Sequence, residues 1–384
     1  MIFRILEEQL AQKTRETKAA DQRFMQLALT LGRRGQGRTW PNPAVGAVVV
    51  NDGIIVGRGW TQPGGRPHAE PVALAQAGEA ARGATLYVTL EPCSHVGKSP
   101  PCTDAVIAAG IKRVVSAIED PNPEVAGQGH ARLRAAGIMV DVGLYALEAA
   151  RDHAGHFARV RDHRPHVMLK LAVSRDDKIA GAERKQVTIT GEAAKARMHL
   201  LRAQSDAILV GIGTVLADDP LLTCRLPGME ARSPVRVVLD RALRMQGNSR
   251  LVRSARATPL WVMTSDLAEA PAATILGAAG AEVIRLETTA MPRSGLDLQA
   301  VLHALAGKGI TRLLVEGGAR IASAFVSAGL VDEFWLLRGP DNIGGDGVAA
   351  LEGLPLTSLT QSPGLRIRAS EKLDQDILTV YERV

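Results

Sequence analysis

One histidine, one glutamate and two cysteines in the first third of the chain have the types and spacing of a catalytic metal site. His68 and Glu70 stand at the start of a predicted helix. Cys93 follows a predicted strand, and Cys102 opens the next predicted helix. One imidazole and two thiolates make three protein ligands, which leaves the fourth tetrahedral position of Zn²⁺ for water. Because zinc lowers the pKa of its water to about 7, the pattern predicts a hydrolytic zinc site.

Glu70 is predicted to carry the proton in this site. It is two residues from His68, so the two side chains cannot point the same way and Glu70 can lie beside the zinc water without binding the metal. His-x-Glu followed by Pro-Cys and a second Cys is the signature of zinc deaminases, in which hydroxide attacks an amidine-like ring carbon. The alternative is that His68 caps a helix while both cysteines are small buried hydrophobic residues. Cys224 has no such neighbours, and for it the buried interpretation is favoured.

Composition limits the class of protein and its compartment. The chain has 384 residues, of which 46% are hydrophobic and 22% charged, so it is long enough for about two globular domains and is neither disordered nor fibrous. Apolar runs fall short of the ~18 to 20 residues of a membrane span, and the N-terminus lacks the order of a secretory signal. We therefore expect a cytoplasmic protein without a membrane partner. In that compartment the three cysteines fit metal or catalytic thiolates better than disulfides.

The net charge of +6 favours an anionic partner. Only 3% of the residues are aromatic, which leaves few platforms on which the bases of a single strand could stack. A phosphorylated small molecule is therefore the expected partner, and nucleic acid is not. The sequence does not determine the oligomeric state, for which a homo-oligomer is one option.

The elements that must position these residues follow from turn signals and hydrophobic spacing. An amphipathic helix is predicted after an N-cap at Asp21. Two β-rich runs joined by Asn51-Asp52-Gly53 predict an antiparallel hairpin over 44–60. Helices near 68–82, 102–109 and 127–136 then alternate with strands at 84–90, 112–118 and 138–144. This alternation predicts a largely parallel sheet covered on both faces.

A charged, His-rich stretch divides the chain. The predicted organisation is an extension over 1–20 that is a solvated tail, a first domain over 21–150, a linker over 151–165 and a second α/β domain over 166–384. The histidines of the linker could suggest a metal-binding tract, but a solvated helix is favoured. Strands of the second domain are predicted at 166–174, 206–212, 235–239, 259–264, 282–286, 312–316 and 332–338, with helices near 191–204, 297–307 and 319–328.

The loop between the two cysteines is unusual. Base and nucleoside deaminases usually place two residues between them, whereas eight intervene here. At this point the sequence resembles the bifunctional riboflavin-biosynthesis enzymes, in which a pyrimidine deaminase is fused to a pyrimidine reductase. The resemblance is carried by Pro41-Asn42-Pro43-Ala44-Val45-Gly46, by Glu91-Pro92-Cys93-Ser94-His95-Val96-Gly97-Lys98-Ser99-Pro100-Pro101-Cys102, and by Asp120-Pro121-Asn122-Pro123 with Val125-Ala126-Gly127 and Gly129.

The resemblance implies a fold and a set of site residues for the first half. The fold is a cytidine-deaminase-like three-layer domain, followed by a dihydrofolate-reductase-like α/β domain. Zinc is expected on His68, Cys93 and Cys102, with Glu70 as the proton shuttle. Asn42, His95 and Lys98 are expected near the substrate. Lys98 could hold the substrate's 5′-phosphate, and an ordinary exposed loop lysine is the alternative.

Glycines follow two predicted strands of the second half, where a backbone can approach a ligand phosphate closely. One place is Gly211 and Gly213, and the other is Gly317 and Gly318 at a helix start. Gly211-x-Gly213 is not a dinucleotide fingerprint, because the third glycine and a clear strand-turn-helix context are missing. By itself this pair predicts a turn.

The stretches 210–225 and 315–318 resemble the reductase half of the same family, which uses NADPH. The resemblance implies two sets of residues. The set expected near the cofactor is Ala172, Thr214, Asp218 and Gly318. The set expected near the phosphorylated pyrimidine is Lys170, Arg202, Leu222, Arg225 and Glu316. Two arginines suit a phosphate fork, with solvated arginines as the alternative, and Lys170 and Asp218 are the polar candidates near the reacting carbon.

Three places depart from the family pattern. Asp177 replaces a glycine, Thr188 replaces a tryptophan, and Gly339-Pro340-Asp341-Asn342-Ile343 replaces Ala-Pro-x-Leu-Leu before two glycines. All three lie in the reductase half, so the departures bear on the cofactor pocket and not on the zinc site.

The sequence thus predicts two sequential reactions. The first removes an exocyclic amine from 2,5-diamino-6-ribosylaminopyrimidinone 5′-phosphate, and the second delivers hydride from NADPH to C1′ of the opened ribose, as an imine, to give the ribityl chain. A nucleic-acid base deaminase is one alternative, which the few aromatic residues and the long cysteine loop disfavour. A zinc-stabilised binding protein without turnover is another, which Glu70 disfavours because a structural zinc site needs a fourth ligand.

Overall fold

The structure is a computed structural model that describes residues 2–97, 99–123, 125–287 and 295–384. The chain divides into two compact units, Met1–Asp162 and His163–Val384. Among the helices of these described ranges, none is long and apolar enough to cross a membrane.

The first unit is built on a five-stranded sheet in the order β2-β1-β3-β4-β5. Its strands are β1 (Gly46–Asn51), β2 (Ile54–Trp60), β3 (Thr85–Val88), β4 (Arg113–Ser116) and β5 (Met139–Val142). β1 is antiparallel to β2 and β3, whereas β3, β4 and β5 are parallel. The predicted hairpin is confirmed: Asp52 and Gly53 have φ of 48° and 78°, the positive values that a type I′ turn requires. The predicted parallel arrangement holds only for the strands after the hairpin.

Helices cover both faces of this sheet. They are α1 (Ile2–Arg33), α2 (Ala69–Ala77), α3 (Cys102–Ala108), α4 (Gln128–Ala135), α5 (Ala146–Asp152) and α6 (Ala154–Asp162). Val48 and Val50 of β1 pack in a cluster with residues of α1 and α5, while Ala47 and Val49 pack with residues of α2, α3 and α4. Alternate residues of one strand thus enter opposite cores, as a strand between two helical layers requires. The predicted three-layer arrangement is confirmed.

The predicted N-cap at Asp21 is wrong. α1 continues through this position, and no Gly or Pro interrupts residues 2–20. The Asp21 carboxylate accepts hydrogen bonds from the Tyr87 hydroxyl at 2.6 Å and from both terminal nitrogens of Arg113 at 2.9 and 2.8 Å. Asp21 therefore attaches α1 to β3 and β4 and does not begin the helix.

Most of the segment predicted as a solvated linker, residues 151–162, is part of the first unit and packs within it. His153 is only 2% exposed, and its Nε2 lies 3.1 Å from the Thr89 hydroxyl. His156 Nε2 lies 3.1 Å from Asp120 Oδ2. The prediction of a solvated helix is wrong here, because these histidines find partners that are distant in the sequence.

The second unit contains, over its described residues, a nine-stranded sheet in the order β11-β10-β9-β8-β12-β6-β13-β16-β15. The strands are β6 (His166–Val173), β8 (Ala207–Gly211), β9 (Val235–Leu239), β10 (Leu260–Ser265), β11 (Glu282–Leu286), β12 (Arg312–Val315), β13 (Glu333–Arg338), β15 (Leu365–Leu373) and β16 (Asp376–Arg383). Neighbours from β11 to β13 are parallel, and β13, β16 and β15 are antiparallel. The seven strands predicted in this half are confirmed, whereas the C-terminal hairpin was not predicted.

Shorter elements complete the second unit. The small strands β7 (Lys178–Ala180) and β14 (Val348–Ala349) pair with each other. The helices are α7 (Glu192–Ala203), α8 (Ile212–Asp218), α9 (Arg250–Arg253), α10 (Ala270–Ala278), α11 (Leu298–Gly307), α12 (Ala319–Ser327) and α13 (Thr357–Thr360). The carboxyl ends of parallel strands β8, β12, β6 and β13 lie at one edge of the sheet, which is where α/β proteins bind ligands.

Candidate active sites

His68, Cys93 and Cys102 meet in the first unit. His68 is the N-cap of α2, Cys93 follows β3, and Cys102 is the first residue of α3. Their ligand atoms all lie within 4.8 Å of one another. His68 Nδ1 is 3.3 Å from Cys102 Sγ and 3.8 Å from Cys93 Sγ. Two helix N-termini and a strand end therefore bring together three side chains from distant positions in the sequence.

The geometry of these three donors fits zinc. With Zn–N of about 2.1 Å, Zn–S of about 2.3 Å and tetrahedral angles, a nitrogen and a sulfur ligand should be about 3.6 Å apart. The two observed separations lie on either side of this value. Among the described residues, no fourth His, Cys, Asp or Glu joins the group. Three donors without a fourth are typical of catalytic zinc sites, in which a water completes the tetrahedron.

The pKa values of the two thiols are shifted in opposite directions. The pKa of Cys93 is lowered to about 4, chiefly by a hydrogen bond from the Cys102 thiol and further by His68 and by the Cys102 backbone N–H at 3.3 Å, against the opposing effect of burial. The pKa of Cys102 is raised, because the Cys93 sulfur accepts its proton and because it is buried near Glu70. A dication among them would stabilise both as thiolates.

Glu70 lies in the first turn of α2 and is only 3% exposed. Burial raises its pKa to about 7, and the negative charge of Cys93 adds to this effect, while His68 opposes it. A carboxyl group with a pKa near neutrality can both take and release a proton under physiological conditions. Glu70 is thus a candidate for proton transfer at this site.

The expected substrate residues of this site are Asn42, His95 and Lys98. The Asn42 side-chain nitrogen donates to the Gly65 carbonyl at 2.7 Å and lies 3.4 Å from His68 Nε2, so Asn42 contacts a metal-site residue directly. His95 is exposed on the loop between the cysteines. Lys98 lies outside the described residues. Sequence reasoning missed Arg66, two residues before His68, whose Nη1 donates to the Ser99 hydroxyl at 2.7 Å and so holds this loop.

A second group of potential ligands, Glu91, Glu119 and His130, also has its atoms within 4.8 Å. It fits a metal poorly, because each Glu91 oxygen already accepts two backbone hydrogen bonds. In the sequence, Glu91 is recognisable only as part of the motif Glu91-Pro92-Cys93. Its hydrogen-bond partners are backbone groups, which carry no residue-type signal.

An ion pair lies at the strand-end edge of the second unit. Arg202 of α7 donates from Nε and Nη2 to the two carboxylate oxygens of Glu316, both at 2.8 Å, and from Nη1 to the Thr223 carbonyl at 3.2 Å. Burial raises the pKa of Glu316, but Arg202 more than offsets it and holds the pKa at about 2. Arg202, one of the two arginines expected at the phosphate, is therefore paired with Glu316, which belongs to the same expected set.

Lys170 of β6 is the neighbour of this pair. Burial lowers its pKa, the negative charge of Glu316 raises it in part, and Arg202 lowers it further. Ala172 is two residues further along the same strand and therefore on the same face of the sheet. The structure thus brings Lys170 near Glu316 and Arg202, as expected, with Ala172 beside it.

The residues 222–225 form a loop next to Arg202. Leu222 is buried and has a positive φ of 56°. Arg225 is exposed, and its backbone N–H donates to His199 Nδ1 at 3.3 Å. Sequence reasoning missed His199. Burial lowers the pKa of its ring, and the charges of Arg202 and Arg225 lower it further, so the ring remains a neutral acceptor that fixes the backbone of Arg225.

The glycines expected at the cofactor lie at helix starts. Gly318 is the N-cap of α12, and a Cβ built on it would lie 4.0 Å from the Thr214 hydroxyl, so the two residues are neighbours. The predicted lack of a strand-to-helix context at Gly211 is wrong, because β8 ends at Gly211 and α8 begins at the next residue. Asp218 is exposed at the end of α8.

The loops that depart from the family pattern bind each other. Asp176 accepts hydrogen bonds from the backbone N–H groups of Ile343 at 2.9 Å and Gly344 at 2.8 Å. Asp177 has a φ of 63° and forms an ion pair with Arg338. These contacts stand at the carboxyl ends of β6 and β13, beside the residues described above.

Comparison with known proteins supports both halves. A family model described as "RibD C-terminal domain" matches residues 165–379, and one described as "Cytidine and deoxycytidylate deaminase zinc-binding region" matches residues 18–118. The riboflavin biosynthesis protein RibD of Aquifex aeolicus is 40% identical over 363 residues, which cover 94% of this chain and 98% of that protein. The RibD protein of Escherichia coli is 40% identical over 370 residues, with 93% and 98% covered.

Solved structures agree. The structure of Acinetobacter baumannii RibD is 35% identical with a TM-score of 0.83 and covers 95% of this chain and 99% of that one. A Thermotoga maritima protein described as a diaminohydroxyphosphoribosylaminopyrimidine deaminase and 5-amino-6-(5-phosphoribosylamino)uracil reductase is 36% identical, with a TM-score of 0.82 and the same coverage. The resemblance and fold class expected from the sequence are thereby confirmed, and the chain belongs to the RibD family of riboflavin biosynthesis proteins.

Proposed function

We propose that the two groups of residues described above carry the two reactions of this bifunctional enzyme. The chain is a zinc-dependent deaminase and an NADPH-dependent reductase of the riboflavin pathway. Its substrates are phosphorylated pyrimidines. The observation that carries the assignment of residues is the approach of His68, Cys93 and Cys102 to one another, with buried Glu70 beside them.

In the first unit, His68, Cys93 and Cys102 would hold the metal. Bound zinc would lower the pKa of a water to about 7 and so make it a nucleophile at neutral pH. Glu70 takes a proton from the attacking water and delivers it to the amine nitrogen that leaves the pyrimidine ring, so one carboxyl group acts first as base and then as acid. Asn42, which contacts His68, orients the imidazole and faces the substrate. His95 and Lys98 complete the substrate side, with Lys98 on the 5′-phosphate.

In the second unit, the residues mainly position the reactants. NADPH supplies the hydride that converts the ribosyl into the ribityl chain. Gly318, Thr214, Asp218 and Ala172 face the cofactor in this proposal. Lys170, Leu222, Arg225 and the Arg202–Glu316 pair face the deaminated substrate. Arg225 is the arginine available to the phosphate, because three donors of Arg202 are already engaged by Glu316 and Thr223.

One experiment tests both halves of the proposal. The zinc-loaded chain is incubated with the diaminopyrimidine phosphate, with and without NADPH, and the products are analysed by mass spectrometry. Without NADPH we expect release of ammonia and exchange of one amine for oxygen. With NADPH we expect the further addition of two hydrogens. Deamination of RNA in place of the free nucleotide, or no turnover of either, would overturn the proposal.

We also assign the enzyme to the cytoplasm. Its three cysteines are free, and two of them stand where thiolates must persist to bind a metal. A reducing compartment keeps such thiols available. Fractionation of the source cells, followed by deamination assays on each fraction, tests this assignment.

A further inference from the structure

Glu91 is a buried carboxylate that neither proposed reaction uses. It lies between β3 and Cys93, and its side chain is 0% exposed. Its Oε1 accepts hydrogen bonds from the backbone N–H groups of Gly129 at 2.8 Å and His130 at 3.2 Å. Its Oε2 accepts from Gly127 at 3.0 Å and Asp120 at 3.1 Å. All four donors belong to one short stretch of chain, 120–130.

This stretch includes the start of α4, which lacks a side-chain cap of its own. Gly127 is the N-cap, and Gly129 and His130 are the second and third residues of the helix. The first N–H groups of a helix have no partner within the helix, and a negative charge is favourable beside them. Glu91 therefore supplies, from a distant segment, the acceptor that a glycine N-cap cannot.

The same stretch packs closely against the backbone just before Cys93. A Cβ built on Gly129 would lie 2.1 Å from the Pro92 carbonyl oxygen, so the helix start approaches that peptide as closely as a glycine allows. On the other side, Cys93 is held by α3, because its carbonyl accepts from Thr103 N–H at 3.2 Å and its Sγ accepts from Cys102 N–H at 3.3 Å. The backbone around Cys93 thus lies between α3 and the start of α4.

We infer that Glu91 is a positioning residue for the metal site. By binding the start of α4 against the Pro92 carbonyl, it fixes the direction in which Cys93 presents its sulfur to His68 and Cys102. The inference rests on the proposed function, in which these three residues hold zinc. It also gives a role to the Asp120-Pro121-Asn122-Pro123 motif and its downstream glycines, which neither reaction uses: they shape the loop whose N–H groups converge on Glu91.

The test uses the full-length chain with Glu91→Gln. Glutamine keeps the size of the side chain but replaces one acceptor oxygen with an amide that cannot accept from N–H groups. We expect zinc affinity, measured by competition with a chelator, to fall about 10- to 100-fold, which is typical when a residue that orients a ligand is lost. The deamination kcat should fall more than the substrate KM changes, and reductase activity should stay unchanged. Glu119→Gln is the matched control, because Glu119 is an exposed glutamate of the same cluster.

A second readout does not depend on zinc. In metal-free protein, the Gly127, Gly129 and His130 amides should be protected from hydrogen exchange in the wild type and in Glu119→Gln, and should lose that protection in Glu91→Gln. If Glu91→Gln does not fold, Gly129→Ala provides the test of the inference. This variant places a methyl group against the Pro92 carbonyl while leaving the Glu91 carboxylate intact. It should weaken zinc binding as well.

Wild-type zinc affinity in a folded Glu91→Gln or Gly129→Ala variant would overturn the inference, as would lost amide protection with unchanged affinity. Failure of the wild-type chain itself to bind zinc or release ammonia would instead refute the proposed function. The two failures are therefore distinguishable.

Discussion

Replacing Glu316 by glutamine tests the ion pair in the second unit. The carboxylate forms two hydrogen bonds of 2.8 Å with Arg202, and the two side chains are only 11% and 14% exposed. Glutamine keeps the shape of the side chain but leaves the partly buried guanidinium without a counter-charge. The variant should therefore lose stability because Arg202 remains desolvated and unpaired.

Two estimates of the loss agree. The depression of the Glu316 pKa from 4.5 to about 2 corresponds to about 3 kcal/mol of stabilisation when the group is ionised. Removing one partner of a buried ion pair costs about 3 to 5 kcal/mol in general. We expect Glu316→Gln to lower the free energy of unfolding of the second unit by about 3 kcal/mol at pH 7.

The pH dependence has a defined sign. Because the pKa of Glu316 is lower in the folded state than in the unfolded state, its stabilisation is fully present above pH 4.5 and is lost as the pH falls toward 2. The difference in stability between wild type and Glu316→Gln should therefore narrow below pH 4.5. Arg202→Gln and the double variant complete a cycle, in which the double variant should be less destabilised than the two single losses added together.

Hydrogen exchange is the suitable assay, because peptides from β6 and β12 report on the second unit alone. Tryptophan fluorescence would mix the two units, since Trp40 and Trp60 lie in the first and Trp261 and Trp335 in the second. A loss below about 1 kcal/mol at pH 7 would refute this account of the pair. The account would also be refuted if the stability losses of the two single variants added up to the loss of the double variant. It would likewise be refuted if the stability difference between wild type and Glu316→Gln did not narrow below pH 4.5.

Three further predictions concern the chemistry. Glu70→Gln should keep zinc and fold but slow deamination by about 10²- to 10⁴-fold, because the metal ligands are unchanged while the proton carrier is lost; near-normal ammonia release from the zinc-loaded variant would contradict this. A chelator should abolish ammonia release but spare reduction of the deaminated substrate, since His68, Cys93 and Cys102 all lie in the first unit; loss of both activities from a folded second unit would count against two separate sites. Arg225→Ala should raise KM for the deaminated phosphate substrate about tenfold. This is the lower end of the effect expected when a charged hydrogen bond is lost, because the Arg225 side chain is exposed. A selective rise in KM for NADPH would instead place Arg225 on the cofactor.

The elements that the sequence predicted correctly are those with local signals. The Asp52-Gly53 turn needs only its own two residues to bend the chain. Among the buried strands of the second unit, β8 is a continuous apolar run and β9 is apolar except for Arg236. The C-terminal hairpin was missed because most of β15 is exposed and its charged residues hide the strand pattern. Asp21 was misassigned because an aspartate before an apolar stripe is a strong capping signal, and its actual partners are 66 and 92 residues away in the sequence.

The two candidate sites also differ in how far the sequence alone could predict them. Three short motifs contain the donors of the metal site, and each donor stands at the start of a helix or the end of a strand that the sequence also predicts. The Arg202–Glu316 pair spans 114 residues, so its formation depends on tertiary structure and could not be deduced from spacing. Glu91 and His199 were missed because they bind backbone N–H groups, which every residue except proline carries.

Two departures from the family pattern in the reductase half make specific contacts at the end of β13. Asp177 takes the left-handed conformation that suits the usual glycine, which aspartate tolerates better than most residues, and its carboxylate pairs with Arg338 at the end of β13. Gly339, which follows, replaces an alanine, and a Cβ there would lie 2.1 Å from the Ile189 carbonyl oxygen. The Ile189 carbonyl can therefore lie this close only because residue 339 has no side chain. A methyl group at residue 339 would force one of the two segments to move, because closely packed backbone leaves no room for it.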